Sequence, residues 1–128
     1  MPVLVQNVPA GQPFQREAHD LMRLNDRERQ AIAQAAHECL PPGTRVRLFG
    51  SRLDDRRRGG DIDLLVEPPY TLGAEEQVAQ RTRFVARLYR LMGERRVDVL
   101  MVPACEPDAR PVVQAARRDG QLLAQVPQ

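Results

Sequence analysis

The chain has 128 residues and a mass of 14.5 kDa, a size that predicts one domain. Its net charge of +2, from 19 basic and 17 acidic residues, makes nucleic acid an unexpected partner. All of the basic residues are arginines, which excludes a Walker A loop and Schiff-base chemistry, because both need lysine. No apolar run approaches the roughly 18–20 residues of a membrane span, so we expect a cytoplasmic protein without membrane attachment.

The beginning of the chain predicts an arm followed by a capped helix. Residues 1–24 are interrupted by proline and glycine, which is typical of a partly ordered segment. Asn25 and Glu28 have the spacing of a capping box, so Asn25 or Asp26 should cap a helix. Its apolar face repeats at helical intervals in Ile32, Ala35, Ala36, Cys39 and Leu40. The prolines and glycine at 41–43 should end it.

Strands are predicted where apolar residues alternate with polar ones or run together between turns. Residues 45–49, 61–67 and 96–102 fit this description, and LLAQV near the end predicts a short closing strand. The intervening polar run at 54–60 is expected to be a loop.

Two more helices complete the predicted fold. Residues 75–92 are amphipathic, with an apolar stripe of Val78, Val85, Leu88 and Met92, widened by Phe84 and Leu91. Gly93 is expected to follow this helix. Asp108 is expected to cap a last helix that runs to about Asp119, with Gly120 after it. The order of elements predicts a mixed α/β (α+β) fold, with a small mixed β-sheet packed against three to four helices.

A phosphate-binding turn is indicated directly after the first strand. Gly50 would let the backbone approach a ligand closely, and free N–H groups after it would bind phosphate. Ser51 adds a hydroxyl and Arg52 adds a guanidinium. The alternative for Ser51 is a helix cap, which uses the same free N–H groups.

Three acidic residues lie on two of the predicted strands. Asp61 and Asp63 are two positions apart, so they share one face, while Ile62 and Leu64 face the core. Asp98 interrupts the apolar strand 96–102 and would join them if the two strands are neighbours. The structural alternatives are a solvated strand edge for the pair, and an ion pair of Asp98 with Arg95 or Arg96.

Electrostatics favours a divalent cation between these carboxylates. Two carboxylates about 4 Å apart repel by roughly 4 kcal/mol at an effective dielectric constant of ~20. Mg²⁺ prefers a few carboxylates together with water and substrate phosphates. Two such ions would clamp the attacking and leaving oxygens of phosphoryl transfer.

The motif G-S-x9-D-I-D-L-L-V, preceded by R-L-F and followed by V-D-V-L, resembles the signature of the DNA polymerase β-type nucleotidyltransferase superfamily. More narrowly, residues 25–128 resemble the minimal nucleotidyltransferase (MNT) domain. Nine residues separate Gly-Ser from the first aspartate, where many members have ten. The resemblance implies the nucleotidyltransferase fold, ATP as substrate and two Mg²⁺ ions. It implies that Asp61, Asp63 and Asp98 hold metal and are catalytic, and that Gly50, Ser51 and Arg52 bind the nucleotide.

Three functions follow from the resemblance. The first is transfer of AMP from ATP to a tyrosine hydroxyl of a partner HEPN toxin, so that the chain acts as an antitoxin. The second is nucleotidyl transfer to a small molecule such as an aminoglycoside, for which a partner chain or homo-oligomer must supply the missing substrate domain. The third is non-catalytic: nucleotide binding or steric inhibition of a partner protein.

Overall fold

The computed structural model describes residues 24–50, 62–93 and 95–128, which form a mixed α+β fold with three helices and one sheet. The predicted fold class is confirmed at this level. In chain order the elements are α1 (Asp26–Cys39), β1 (Arg45–Phe49), β2 (Ile62–Glu67), α2 (Ala74–Met92), β3 (Val97–Met101), α3 (Pro111–Asp119) and β4 (Gln121–Gln125). All four predicted strands are therefore present, within a residue or two of the expected bounds.

The four strands form one mixed sheet in the order β3-β2-β1-β4. The central strands β1 and β2 are antiparallel, β3 runs parallel to β2, and β4 runs antiparallel to β1. Helices α1 and α2 pack on one face over the main core, and α3 packs on the other over a smaller cluster. The sheet is thus covered on both faces, but by unequal layers.

Helix α1 begins as predicted. The Asn25 side chain accepts a hydrogen bond from the Glu28 N–H at 2.7 Å, and the Glu28 carboxylate accepts from the Asn25 N–H at 3.1 Å. Glu28 is buried and also forms an ion pair with Arg95, just before β3. The reciprocal cap therefore fixes the start of the helix and also ties it to the approach to β3.

Helix α2 has the predicted length, and five of the six residues predicted for its apolar stripe are buried in the main core or pack against it, all except Val78. Phe84 and Leu88 are fully buried, whereas Val78 is 64% exposed, so its assignment to the apolar stripe was wrong. The helix presents Gln80, near Val78 in sequence, to the interior instead. Gly93 follows the helix with a φ of +82° and donates its N–H to the Tyr89 carbonyl at 2.8 Å, as expected of a glycine in this position.

Helix α3 begins later than predicted, because Asp108 does not cap it. The helix starts at Pro111, and Asp108 instead accepts hydrogen bonds from the N–H and guanidinium of Arg110. These bonds lower the pKa of Asp108 from its ordinary 3.8 to about 2. The proline supplies the first helical residue, where no N–H is needed. Gly120 follows the helix as expected.

The predicted loop at 54–60 and all but the last residue of the predicted arm 1–24 lie outside the described residues. That last residue, Leu24, is buried in the main core. None of the helices in the described ranges is both long enough and apolar enough to cross a bilayer.

Candidate active site

Strand β2 presents different side chains to the two faces of the sheet. Ile62, Leu64 and Val66 are fully buried in the main core. The intervening residues Asp63 and Leu65 face the other way, and Leu65 belongs to the smaller cluster beneath α3. The alternation therefore places the Asp63 carboxylate on the face that α3 covers only in part.

The register of the sheet brings Asp63 and Asp98 side by side. Because β2 and β3 are parallel neighbours, Asp63 pairs with Asp98 and both side chains point to the same face. The Cα atoms of such partners lie about 4.8 Å apart. Asp63 is half-buried, and Asp98, on the edge strand, is exposed. The sequence predicts a joint acidic site if the two strands are neighbours and their carboxylates share one face. Asp63 and Asp98 meet this condition.

Gly50 meets the same carboxylate from the end of β1. Since β1 is antiparallel to β2, its last residue, Phe49, is the register partner of Asp63. Gly50 then turns with a φ of +77°, and a Cβ placed on it would lie 2.6 Å from the Asp63 Oδ2. Both the backbone conformation and the missing side chain are thus required here. The backbone of the predicted phosphate turn consequently begins in contact with the acidic site.

The site has an apolar floor that the sequence analysis did not single out. Phe49 and Leu100 are partly buried and pack against the cluster of Leu65, Val102, Val113 and Ala116. Phe49 lies beside Asp63 by register, and Leu100 lies on the same face of β3 as Asp98. The available signal was the position of Phe49 in R-L-F, immediately before Gly50.

A second acidic position on the same face, Glu67, was also missed. It is only 4% exposed and accepts from the Nε atoms of Arg47 at 2.9 Å and Arg117 at 2.8 Å. Arg117 also donates to the carbonyl oxygens of Pro103 at 3.0 Å and Glu106 at 2.9 Å. Glu67 therefore fastens α3 and the preceding loop to the sheet. Its position at the end of an apolar run was the sequence signal.

The structure bears on the alternative reading of Asp98. Arg95, one of its two suggested partners, pairs with Glu28 instead. Among the described residues, Asp98 forms no ion pair with either arginine. Within the part of the chain that the structure describes, the backbone register therefore places the exposed Asp98 carboxylate at the sheet edge without an ion pair to Arg95 or Arg96.

The remaining predicted site residues, Asp61, Ser51 and Arg52, lie outside the described ranges. Within those ranges, no group of three acidic, histidine or cysteine side chains assembles. The donors that are described do fit Mg²⁺. Two carboxylates share one face, and the Gly50 cradle next to Asp63 would be filled by any Cβ.

Comparison with known proteins adds no relatives: no protein-family model matches the chain, and no curated protein matches it.

Proposed function

We propose that the chain is a Mg²⁺-dependent minimal nucleotidyltransferase that transfers AMP from ATP to a tyrosine hydroxyl of a partner HEPN toxin, and so acts as an antitoxin. The observation that carries the proposal is the parallel register of Asp63 with Asp98, with Gly50 against the Asp63 carboxylate. This arrangement agrees with what the resemblance of the G-S, D-I-D and V-D-V segments implies.

In the proposed site, Asp61 and Asp63 hold the metal ions and Asp98 completes the site from the next strand. The bound metal supplies charge neutralisation for the carboxylates and the triphosphate. Gly50, Ser51 and Arg52 cradle the phosphates, for which the glycine leaves the backbone accessible.

In the proposed reaction the acceptor hydroxyl oxygen attacks the α-phosphorus of ATP. A new bond forms between these two atoms, the bond to the bridging oxygen breaks, and pyrophosphate leaves. The hydroxyl proton passes to Asp98, which is exposed on the edge strand and so is accessible to an acceptor from solvent. An exposed general base suits an acceptor that is carried on another macromolecule.

The test is transfer of label from α-labelled ATP, with Mg²⁺, to the protein encoded beside this gene. Wild type should label a tyrosine of that protein, and Asp63→Asn should abolish labelling. The matched control is Asp119→Asn, because this exposed aspartate pairs only with the neighbouring Arg118 among the described residues.

Three results would contradict the proposal in different ways. If Asp63→Asn leaves the labelling unchanged, the assignment of Asp63 to the catalytic site is wrong. Labelling of an added aminoglycoside, and not of the protein, would favour the small-molecule reaction. Equal neutralisation of the toxin by wild type and by Asp63→Asn, without any labelling, would favour a steric inhibitor.

A further inference from the structure

Arg96 lies directly before β3 and takes part in the backbone ladder between β2 and β3. The Ile62 N–H donates to the Arg96 carbonyl at 2.9 Å, one position before the register pair of Ile62 with Val97. The alternation of the strand therefore extends back to Arg96, which lies two positions before Asp98. Residues two apart on a strand share one face, so the exposed Arg96 belongs to the face of the candidate active site.

The preceding arginine belongs to the opposite face of the sheet. Arg95 forms an ion pair with Glu28 of α1, and α1 packs on the face that holds the main core. Consecutive residues of an extended chain point to opposite sides. The contact of Arg95 with the helix layer therefore agrees with the placement of Arg96 on the face that carries Asp98.

The arginines of the candidate-site face divide between its two ends. Arg47 and Arg117 are bound to Glu67 at the far end of β2. Arg96 lies at the near end, about 6.6 Å along the chain direction from Asp98. Of the described arginines on or next to the strands of this face, Arg96 is therefore the one beside the two aspartates.

The proposed reaction fixes which part of the nucleotide lies near Arg96. Asp98 takes the proton of the attacking hydroxyl, so the α-phosphorus lies near Asp98. Gly50, which opens the proposed phosphate cradle, follows β1 on the other side of β2. The β- and γ-phosphates, which leave as pyrophosphate, would therefore lie towards β1, and the α-phosphoryl group would lie towards β3.

We infer that Arg96 binds the α-phosphoryl group that is transferred, and that it stabilises the charge on the oxygens of this group during the attack. The inference rests on the proposed function and adds a substrate-binding residue to it. A guanidinium presents N–H donors in a planar fork that matches two phosphate oxygens. Donors aimed at a group whose charge develops during the reaction act most strongly in the transition state.

The test is equilibrium binding of three probes, each with Mg²⁺, by titration calorimetry: ATP, AMP and inorganic pyrophosphate. AMP carries the α-phosphoryl group alone, and pyrophosphate is the leaving group alone. Arg96→Gln should weaken ATP and AMP at least about tenfold and leave pyrophosphate within about twofold, because it removes a charged donor from the α-phosphoryl group only. Arg96→Lys keeps the charge without the fork, so its affinities for ATP and AMP should be intermediate.

Label transfer at saturating ATP provides the kinetic readout. Arg96→Gln should lower the rate of transfer by about 100-fold even when the nucleotide site is filled, because the contact is strongest in the transition state. Retained binding of pyrophosphate shows that the same variant is folded and still binds metal and phosphate.

Arg45→Gln is the matched control for Arg96→Gln. Arg45 is an exposed arginine on the same face, but its register partner is Glu67, about 13 Å along β2 from Asp63. Its removal should leave the affinities for all three probes and the rate of transfer unchanged.

Three results overturn the inference: unchanged binding of ATP and AMP by Arg96→Gln, equal weakening of all three probes, or an equal effect of Arg45→Gln. In each case, label transfer by wild type that Asp63→Asn abolishes leaves the proposed function standing. Selective weakening of ATP and AMP in Arg96→Gln, without labelling of any protein by wild type, rejects the proposed acceptor but supports the role of Arg96. A wild type that binds none of the probes overturns both proposals.

Discussion

The two ends of β2 place carboxylates on the same face of the sheet but in opposite electrostatic settings. At the far end, Glu67 is buried and held by the guanidinium groups of Arg47 and Arg117. At the near end, Asp63 lies beside a second carboxylate, Asp98, which is exposed and has no ion pair among the described residues. The two arginines give Glu67 a structural role, because they join it to β1 and α3. At the other end, two acids lie side by side, and we propose that this end, the candidate cation site, binds Mg²⁺.

The first prediction tests the candidate cation site, where we expect the largest effect. Mg²⁺ with ATP at about 100 times its dissociation constant should stabilise wild type by about 2.7 kcal/mol, or roughly 10 °C in melting temperature. Asp63→Asn should lose most of this shift because it removes a proposed metal ligand. Thermal unfolding with and without Mg²⁺ and ATP measures both, and Asp119→Asn should keep the full shift.

The second prediction concerns Glu67 and its two arginine partners at the far end of β2. Glu67→Gln leaves two guanidinium groups without their carboxylate and should lower the free energy of unfolding by about 2 kcal/mol. This is below the cost of breaking a fully buried pair, because Arg47 and Arg117 retain 20% and 25% exposure. Urea unfolding measures the change. The shift produced by Mg²⁺ with ATP should survive, and its loss would mean that the two ends are not independent.

The exposed pair of Glu38 with Arg87 provides a control for Glu67. It joins α1 to α2 at the surface, and its hydrogen bonds from Arg87 and Gln34 lower the pKa of Glu38. Because both side chains are solvated, Glu38→Gln should give no resolvable change in urea unfolding. A loss as large as that of Glu67→Gln would show that burial is not what distinguishes Glu67.

The third prediction compares two glycines with nearly the same backbone conformation. Gly50 and Gly93 have φ values of +77° and +82°, so alanine at either should cost about 1–2 kcal/mol of folding free energy. Only at Gly50 would the new Cβ meet Asp63, while nothing lies within 4 Å at Gly93. Gly50→Ala should therefore also weaken the stabilisation by Mg²⁺ with ATP. If Gly50→Ala and Gly93→Ala lose the same amount of stabilisation by Mg²⁺ with ATP, the contact between Gly50 and Asp63 is not important for binding.

The smallest predicted effect concerns Asp108, an acid that Arg110 stabilises outside the site. Its pKa of about 2 in the folded protein lies below its ordinary 3.8. Its ionised form therefore contributes stability above about pH 4, and this contribution is lost as the pH falls towards 2. Urea unfolding between pH 6 and 2 should show wild type and Asp108→Asn converging over that window. A difference that does not change with pH would contradict the assignment.

The elements of this fold were largely predictable because their signals are local. The capping box of Asn25 and Glu28 and the glycine after α2 are decided within one turn of helix. The start of α3 was misjudged because Asp108 is satisfied by Arg110 two residues later, and proline supplies the first helical turn. Val78 was misjudged because helical spacing alone does not say how far around the helix, or how far along it, the covered face extends.

For the two aspartates of the candidate site that the structure describes, the face of the sheet was predictable but their pairing was not. The alternation along β2 fixed the face of Asp63, and the odd polar residue in β3 marked Asp98. That β3 lies beside β2, in the register that pairs the two acids, depends on packing between residues 35 positions apart in the chain. The roles of Arg95 and Arg117 were not predictable for the same reason: their carboxylate partners, Glu28 and Glu67, are distant in sequence.

The most direct test of the candidate cation site is paramagnetic broadening by Mn²⁺, a substitute for Mg²⁺ at oxygen ligands, in the presence of ATP. We predict that the amide signals of Gly50, Asp63 and Asp98 broaden first in a titration. The signal of Glu67, about 13 Å along the same strand, should broaden later. Broadening that starts elsewhere, such as at Glu75 and Glu76 on α2, or that Asp63→Asn leaves unchanged, would contradict the account.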